Sequence, residues 1–215
     1  MITVLLVDDH ELVRMGIRSL LEGAAGIQVV GEADSGEEAV KQARALEPDV
    51  ILMDVRMPGI GGLEATRKIT NARLKSRIIA LTALNDDPFP KRLLEAGAAG
   101  YLTKDAGVTE MVEAIRSVHG GQLYLTPDVA RQIAVQHLSK KPQGPWDSLS
   151  DREMQVMLMI TTGQTVQDIA DKLCLSPKTV NSYRYRLFEK LKVHNDVELT
   201  LLAMRHGLVE NPAND

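Results

Sequence analysis

Five short apolar runs, separated by amphipathic stretches, fill the first 120 residues of this 215-residue chain. They are Thr3–Val7, Ile27–Val30, Val50–Met53, Ile78–Leu81 and Gly100–Leu102. All are short, rich in Val, Ile and Leu, and not strictly alternating, as strands buried on both faces of a parallel sheet should be. Between them, apolar residues recur at helical spacing. The sets are Leu12, Val13, Ile17, Leu20 and Leu21; Ala39, Val40 and Ala43; Leu63, Thr66 and Ile69; Leu93, Leu94 and Ala96; and Met111, Val112, Ile115 and Val118. Five strand–helix repeats with right-handed crossovers make a doubly wound α/β sheet of five strands.

Open α/β sheets bind ligands at the carboxyl ends of their strands, so the residues that close each run matter most. Run one closes on Asp8-Asp9, run three on Asp54, run four on Thr82 and run five on Thr103-Lys104. The expected fold converges these groups on one end of the sheet. Three carboxylates crowded together need a cation, and oxygen-only ligands select a hard one such as Mg2+. Lys104 adds a fixed positive charge. Ion and ammonium together suit the oxygens of a transferring phosphoryl group. A carboxylate can act as the nucleophile. Asp54 is the candidate, standing alone at a central strand end before Met57-Pro58-Gly59, a turn expected to expose it. Asp8 and Asp9 would hold the metal, and Thr82 would donate a hydrogen bond to a phosphoryl oxygen. Taken singly, an Asp after a strand is a cap and a Lys is surface; four such groups at the expected strand ends, in order, are far more specific.

This pattern of Asp8-Asp9, Asp54, Thr82 and Lys104 resembles the receiver domain of two-component signalling, and it covers residues 1–120. The resemblance implies a flavodoxin-like strand order 2-1-3-4-5, Asp54 as phosphoacceptor, and Mg2+ held by Asp8, Asp9, Asp54 and the main-chain carbonyl of Arg56. It also implies that Tyr101, three residues before Lys104, turns inward together with Thr82 on phosphorylation; otherwise Tyr101 is an exposed aromatic at a strand end. One departure stands out. Receivers commonly carry proline after the lysine, where this chain has Asp105.

Beyond Gly120-Gly121 the pattern changes. Thr126-Pro127 offers a capping hydroxyl followed by proline, opening a helix expected over 126–138. The stretch Ser139-Lys140-Lys141-Pro142-Gln143-Gly144-Pro145 is polar and broken by two prolines, so a linker is expected. We divide the chain into a domain at 1–121, a linker at 122–147 and a second domain at 148–210.

The second domain is expected to hold four short helices. Ser150 and Glu153 are spaced as a capping box. Gly163 ends that helix, Val166–Leu173 makes the second, Ser176-Pro177 opens a third that runs to about Leu191, and the fourth ends at Gly207. A short helix, a tight turn and a longer basic helix describe a helix-turn-helix, whose second helix enters the major groove. Val180, Leu187 and Leu191 form its core stripe, with Asn181, Ser182, Arg184 and Tyr185 expected outward. Lys178, Arg184, Arg186, Lys190 and Lys192 suit phosphates. Charge distribution supports this more than net charge does. The whole chain carries −4, residues 1–126 hold 14 Lys/Arg against 18 Asp/Glu, and segment 176–192 has those five cations against Glu189 alone.

Leu149-Ser150-x-Arg152-Glu153, Gly163, Ile169-Ala170-x-x-Leu173, Ser176-x-x-Thr179-Val180 and Lys190-Leu191 together resemble the LuxR-type helix-turn-helix. A receiver joined to such a domain resembles the NarL/FixJ family, and the run Pro177–Arg186 is similar to the GacA/UvrY subgroup within it. The resemblance puts Asn181, Ser182 and Tyr185 at base-reading positions and Lys178 and Thr179 near phosphates. Tyr183 stands where most relatives have histidine, and Asp196 where most have a basic residue; for Asp196 a favourable carboxylate at a helix N-terminus is the preferred account.

The implied function is a phosphorylation-dependent transcription regulator rather than an enzyme. A sensor histidine kinase of the GacS/BarA kind would phosphorylate Asp54. The active protein would then free its recognition helix from an inhibitory interdomain contact, dimerise, or both, and bind double-stranded promoter DNA of small regulatory RNAs. Val197, Leu201 and Met204 either complete the core or form the surface where two copies meet. Two rival functions fit the sequence less well. A phosphatase acting through an aspartyl phosphate needs an acid two residues after the nucleophile, where this chain has Arg56. A receiver acting through protein contacts alone leaves the +4 segment 176–192 without a purpose. The short run from Met1 to Asp9 lacks a basic region before its apolar residues, no apolar run is long enough for a membrane span, and the lone Cys174, expected in the core, fits a reducing cytoplasm.

Overall fold

In the computed structural model, which describes residues 1–82, 89–138, 144–206 and 208–209, the apolar runs become β1 (Ile2–Val7), β2 (Ile27–Ala33), β3 (Val50–Asp54), β4 (Arg77–Thr82) and β5 (Gly100–Thr103). All pair in parallel, in the order β2-β1-β3-β4-β5. A two-residue strand that the expected linker region concealed, β6 (Tyr124–Leu125), extends the sheet beyond β5. β2 runs three residues past its apolar core, with a register shift opposite Val4/Leu5. An edge strand with half-exposed residues needs less hydrophobicity than a central one.

The connecting helices are α1 (Glu11–Glu22), α2 (Gly36–Leu46), α3 (Gly61–Asn71), α4 (Pro90–Glu95) and α5 (Val108–His119). Val4, Leu6, Leu52, Leu81 and Leu102 face Ile17 and Leu21 of α1 and Met111, Ile115 and Val118 of α5 in one cluster. The intervening residues Leu5, Ile51 and Met53 are equally buried, on the side where α2 and α3 pack. Leu12 and Leu20, counted with the apolar stripe of α1, are 84% and 44% exposed. Helix α6 (Pro127–Leu138) starts as its Thr-Pro signal predicts, with Thr126 Oγ1 accepting from the Val129 amide at 3.5 Å.

The chain divides into two units, Met1–Leu138 and Ser139–Asp215. Linker positions 139–143, and Gly207 as a helix terminator, lie outside the described residues. The second unit opens with a 3-10 turn at Pro145–Ser148 and continues as α7 (Asp151–Thr161), α8 (Val166–Leu173), α9 (Pro177–Leu191) and α10 (Asp196–Arg205). The capping box forms: Ser150 accepts from the Glu153 amide, and the Glu153 carboxylate accepts from the Ser150 amide. Trp146 is buried and meets His206 edge-on at 5.5 Å. Cys174 is a correction: it is exposed, not core, because it takes the left-handed conformation (φ 54°) that ends α8 and turns the chain toward α9.

Candidate functional site

The strand ends meet as expected. Asp8 at the end of β1 and Asp54 at the end of β3 are each 1% exposed, and Lys104 bridges them, its Nζ at 2.6 Å from Asp8 Oδ2 and 2.8 Å from Asp54 Oδ2. The Arg56 amide donates to Asp54 Oδ1 at 3.1 Å. Asp105 in place of proline does not displace the lysine. The Lys104 amide donates to the Thr82 carbonyl at 2.6 Å and the Ala106 amide to the Thr103 carbonyl at 3.1 Å, closing the loop. Thr82 and Tyr101 are both buried, Tyr101 to 1% exposure, which excludes an exposed strand-end aromatic.

The expectation that the Met57-Pro58-Gly59 turn exposes Asp54 is corrected. Met57 and Ile60 fold back into the core, the Gly62 amide donates to the Val55 carbonyl at 3.1 Å, and Lys104 lies across the carboxylate. Burial pushes the Asp54 carboxyl up to about 6, against the opposing pull of Lys104. Burial also pulls Lys104 down, but the carboxylates of Asp54 and Asp8 outweigh it and leave the ammonium raised.

Backbone approach at this point is close. A Cβ on Gly62 would collide with the Asp54 carbonyl oxygen. Gly62→Ala is therefore expected to cost roughly 1–3 kcal/mol through forced displacement of the strand end. It should also reduce phosphoryl uptake, measured by thermal melting and intact mass side by side. A variant with wild-type stability and uptake would show that the strand end yields freely.

One group was missed. His10, directly after the acidic pair, places Nδ1 at 3.3 Å from Asp8 Oδ1 and 3.1 Å from Asp9 Oδ1. Possible ligand atoms of Asp8, Asp9, His10 and Asp54 all lie within 4.8 Å of one another. Five scattered histidines gave no metal spacing; adjacency to a strand-end carboxylate pair was the usable signal.

In the second unit, α8 and α9 form the tight pair. Ser176 caps α9, its Oγ accepting from the Thr179 amide at 3.1 Å and lying 2.8 Å from the Thr179 hydroxyl. Val180, Leu187 and Leu191 are buried as expected. Lys178, Ser182, Tyr185, Arg186 and Lys192 are exposed, and Asn181 and Tyr183 are half-buried. Arg186 lies over the Tyr183 ring at 6.0 Å. Two of the expected phosphate cations are instead engaged inside the unit. Lys190 Nζ reaches the buried Glu153 at 2.7 Å and the Ser148 carbonyl at 2.9 Å. Arg184, expected outward, forks onto Asp196 at 2.6 Å through both Nε and Nη2.

Comparison with known proteins agrees with both halves. Residues 4–116 match the response regulator receiver domain, and residues 147–203 match bacterial regulatory proteins of the luxR family. The chain is 60% identical over 216 residues to the response regulator GacA of Pseudomonas viridiflava, covering 99% of this chain and all of that protein. It is 59% identical over 209 residues to the response regulator UvrY of Escherichia coli (strain K12), covering 97% and 96%. Among solved structures it resembles RcsB from Salmonella enterica serovar Typhimurium bound to promoter P1flhDC in the presence of the phosphomimetic BeF3-. The TM-score is 0.73 at 27% identity, over 97% of this chain and 99% of that one.

Proposed function

The chain belongs to the response regulators that join a receiver domain to a LuxR-type DNA-binding domain, and from that premise we propose that Asp54 accepts a phosphoryl group from a sensor histidine kinase and that α9 reads promoter DNA. It is a phosphorylation-dependent transcription regulator of the GacA/UvrY kind, not a conventional enzyme. The observation that carries the reading of the first domain is the Lys104 bridge between Asp8 and Asp54, both buried at adjacent strand ends.

An Asp54 carboxylate oxygen attacks the phosphorus of a phosphohistidine. The new O–P bond forms as the P–N bond breaks, and the electron pair returns to the imidazole nitrogen. Burial keeps water from competing for the phosphorus. Lys104, already 2.8 Å from Asp54, passes from the carboxylate to a phosphoryl oxygen, and Thr82 supplies a hydroxyl to another. The donor set fits a hard ion: among the described residues three carboxylates face one ammonium, leaving an excess of negative charge. Asp8, Asp9, Asp54 and the main-chain carbonyl of Arg56 are the ligands we assign to Mg2+, which when bound would neutralise the phosphoryl oxygens. Thr82 and Tyr101 form the switch, and the inward Tyr101 is the arrangement expected beside a phosphoryl-bound Thr82.

In the helix-turn-helix, Asn181, Ser182 and Tyr185 face base edges while Lys178, Thr179, Arg186 and Lys192 approach phosphates, with Tyr183 backing Arg186. We divide the chain into receiver (1–121), connecting segment (122–147) and DNA-binding domain (148–210), Trp146 entering the core of the second unit. The kinase is of the GacS/BarA kind, the active species a homodimer on DNA, and the targets promoters of small regulatory RNAs. No described helix is long and apolar enough to cross a membrane, and we place the protein in the cytoplasm.

The test is a titration of beryllofluoride and Mg2+ followed by fluorine NMR, together with a gel shift on promoter DNA. Loss of a charge-assisted hydrogen bond in Lys104→Met should weaken beryllofluoride capture roughly 10- to 100-fold. Unchanged capture would remove Lys104 from the phosphoryl site.

A further inference from the structure

Helical spacing places Arg184 at the edge of the buried stripe of α9 rather than on its outward face. The buried residues of α9 are Val180, Leu187 and Leu191, and position 184 lies four after the first and three before the second, on the same face. From there its stem runs along the surface of its own unit, its guanidinium lies over the Phe188 ring at 5.3 Å, and the side chain keeps 27% of its surface exposed. Asp196, the first residue of α10, meets it with both carboxylate oxygens at 2.6 Å. Two parallel bonds to a planar fork make this pair far more directional than a point contact. Asp196 is fixed in turn. It sits in the first turn of α10, where the helix dipole favours a carboxylate, behind an Asn195 cap that accepts from the Glu198 amide at 2.9 Å. By contrast Lys178, Arg186 and Lys192 are exposed.

We propose that Asp196 is a specificity-determining residue: it holds the Arg184 guanidinium away from the DNA backbone, so that α9 makes one fewer sequence-independent contact than its charge suggests. This rests on the reading of α9 as the recognition helix. A phosphate contact strengthens binding to every sequence alike, by releasing counterions. A guanidinium matched by its own carboxylate has no net charge to exchange. Discrimination then falls to Asn181, Ser182 and Tyr185, which face base edges. Asp196 thereby gains a role beyond that of a favourable carboxylate at a helix N-terminus.

The experiment measures binding of the full-length protein to a labelled duplex of mixed sequence by fluorescence anisotropy across a salt series. Wild type is compared with Asp196→Asn, Arg184→Met, the double variant, and Lys178→Met as a calibrating loss of one phosphate contact. Asp196→Asn should steepen the dependence of log affinity on log salt by about one, a roughly fourfold larger loss between about 50 and 200 mM salt. Arg184→Met and the double variant should run parallel to wild type, and Lys178→Met should be shallower. A structural role for the pair alone would change affinity without changing the slope, so a parallel Asp196→Asn overturns the proposal, as does a shallower Arg184→Met. Thermal melts establish folding; if Asp196→Asn does not fold, the Arg184→Met slope decides. A wild-type protein without salt-dependent binding would overturn the DNA-binding reading itself, a result distinct from these.

Discussion

Asp54→Asn is expected to abolish phosphoryl uptake: incubated with acetyl phosphate and Mg2+ and weighed intact, wild type gains one phosphoryl group and the variant none. The amide is isosteric but lacks the nucleophilic charge, and neither Asp8 nor Asp9 is assigned the attack. Uptake by the variant would move the acceptor to another carboxylate. The same substitution has a pH signature. Burial raises Asp54 from 3.8 to about 6, so the folded protein holds this proton longer than the unfolded chain does. Stability from this group is full below the unfolded value and is lost as pH rises through the folded value. The ionised carboxylate then costs on the order of 3 kcal/mol at neutral pH. Without divalent ions, Asp54→Asn should therefore gain stability relative to wild type as pH rises through about 6, and the gain should vanish toward 3.8 and below. Equal pH profiles for the two proteins would show that Asp54 is not held in a desolvating site.

The double substitution Lys178→Ala with Arg186→Ala should weaken DNA binding on the order of 50-fold at moderate salt, and lower the salt slope by about two. Both side chains are exposed on α9, and among the described residues no carboxylate pairs with either. The loss should be nearly the same for every duplex, because phosphate contacts carry no base information. A loss confined to one sequence would instead make one of them a base-reading residue.

Much of this molecule is legible in its sequence. Apolar runs gave the five main strands, and reading the residue that closes each run located Asp8, Asp9, Asp54, Thr82 and Lys104. Most of what escaped is what chain-neighbour patterns do not encode, Arg184 and His10 being the exceptions. β6 is two residues long, too short for periodicity to register. The burial of Asp54 depends on Met57 and Ile60 folding back, a tertiary event. Cys174 was placed in the core by its apolar neighbours, whereas the turn needed a left-handed residue there. Arg184 was sorted by charge rather than by its position four residues after Val180; helical arithmetic contained the answer. Glu153 shows the local and the tertiary combined: its capping role was readable, but its pairing with Lys190, 37 residues away, was not.

Trp146 is the only tryptophan in the chain, and it is buried in the second unit against His206. Intrinsic indole fluorescence therefore observes one of the two folding units and is blind to the other. In a urea titration, emission should follow the helical unit alone while far-ultraviolet circular dichroism follows both. Coincident curves would mean that the units unfold as one cooperative body, and separated curves that each has its own transition. A stabilised Asp54→Asn receiver would then shift the dichroism curve and leave the fluorescence midpoint where it was.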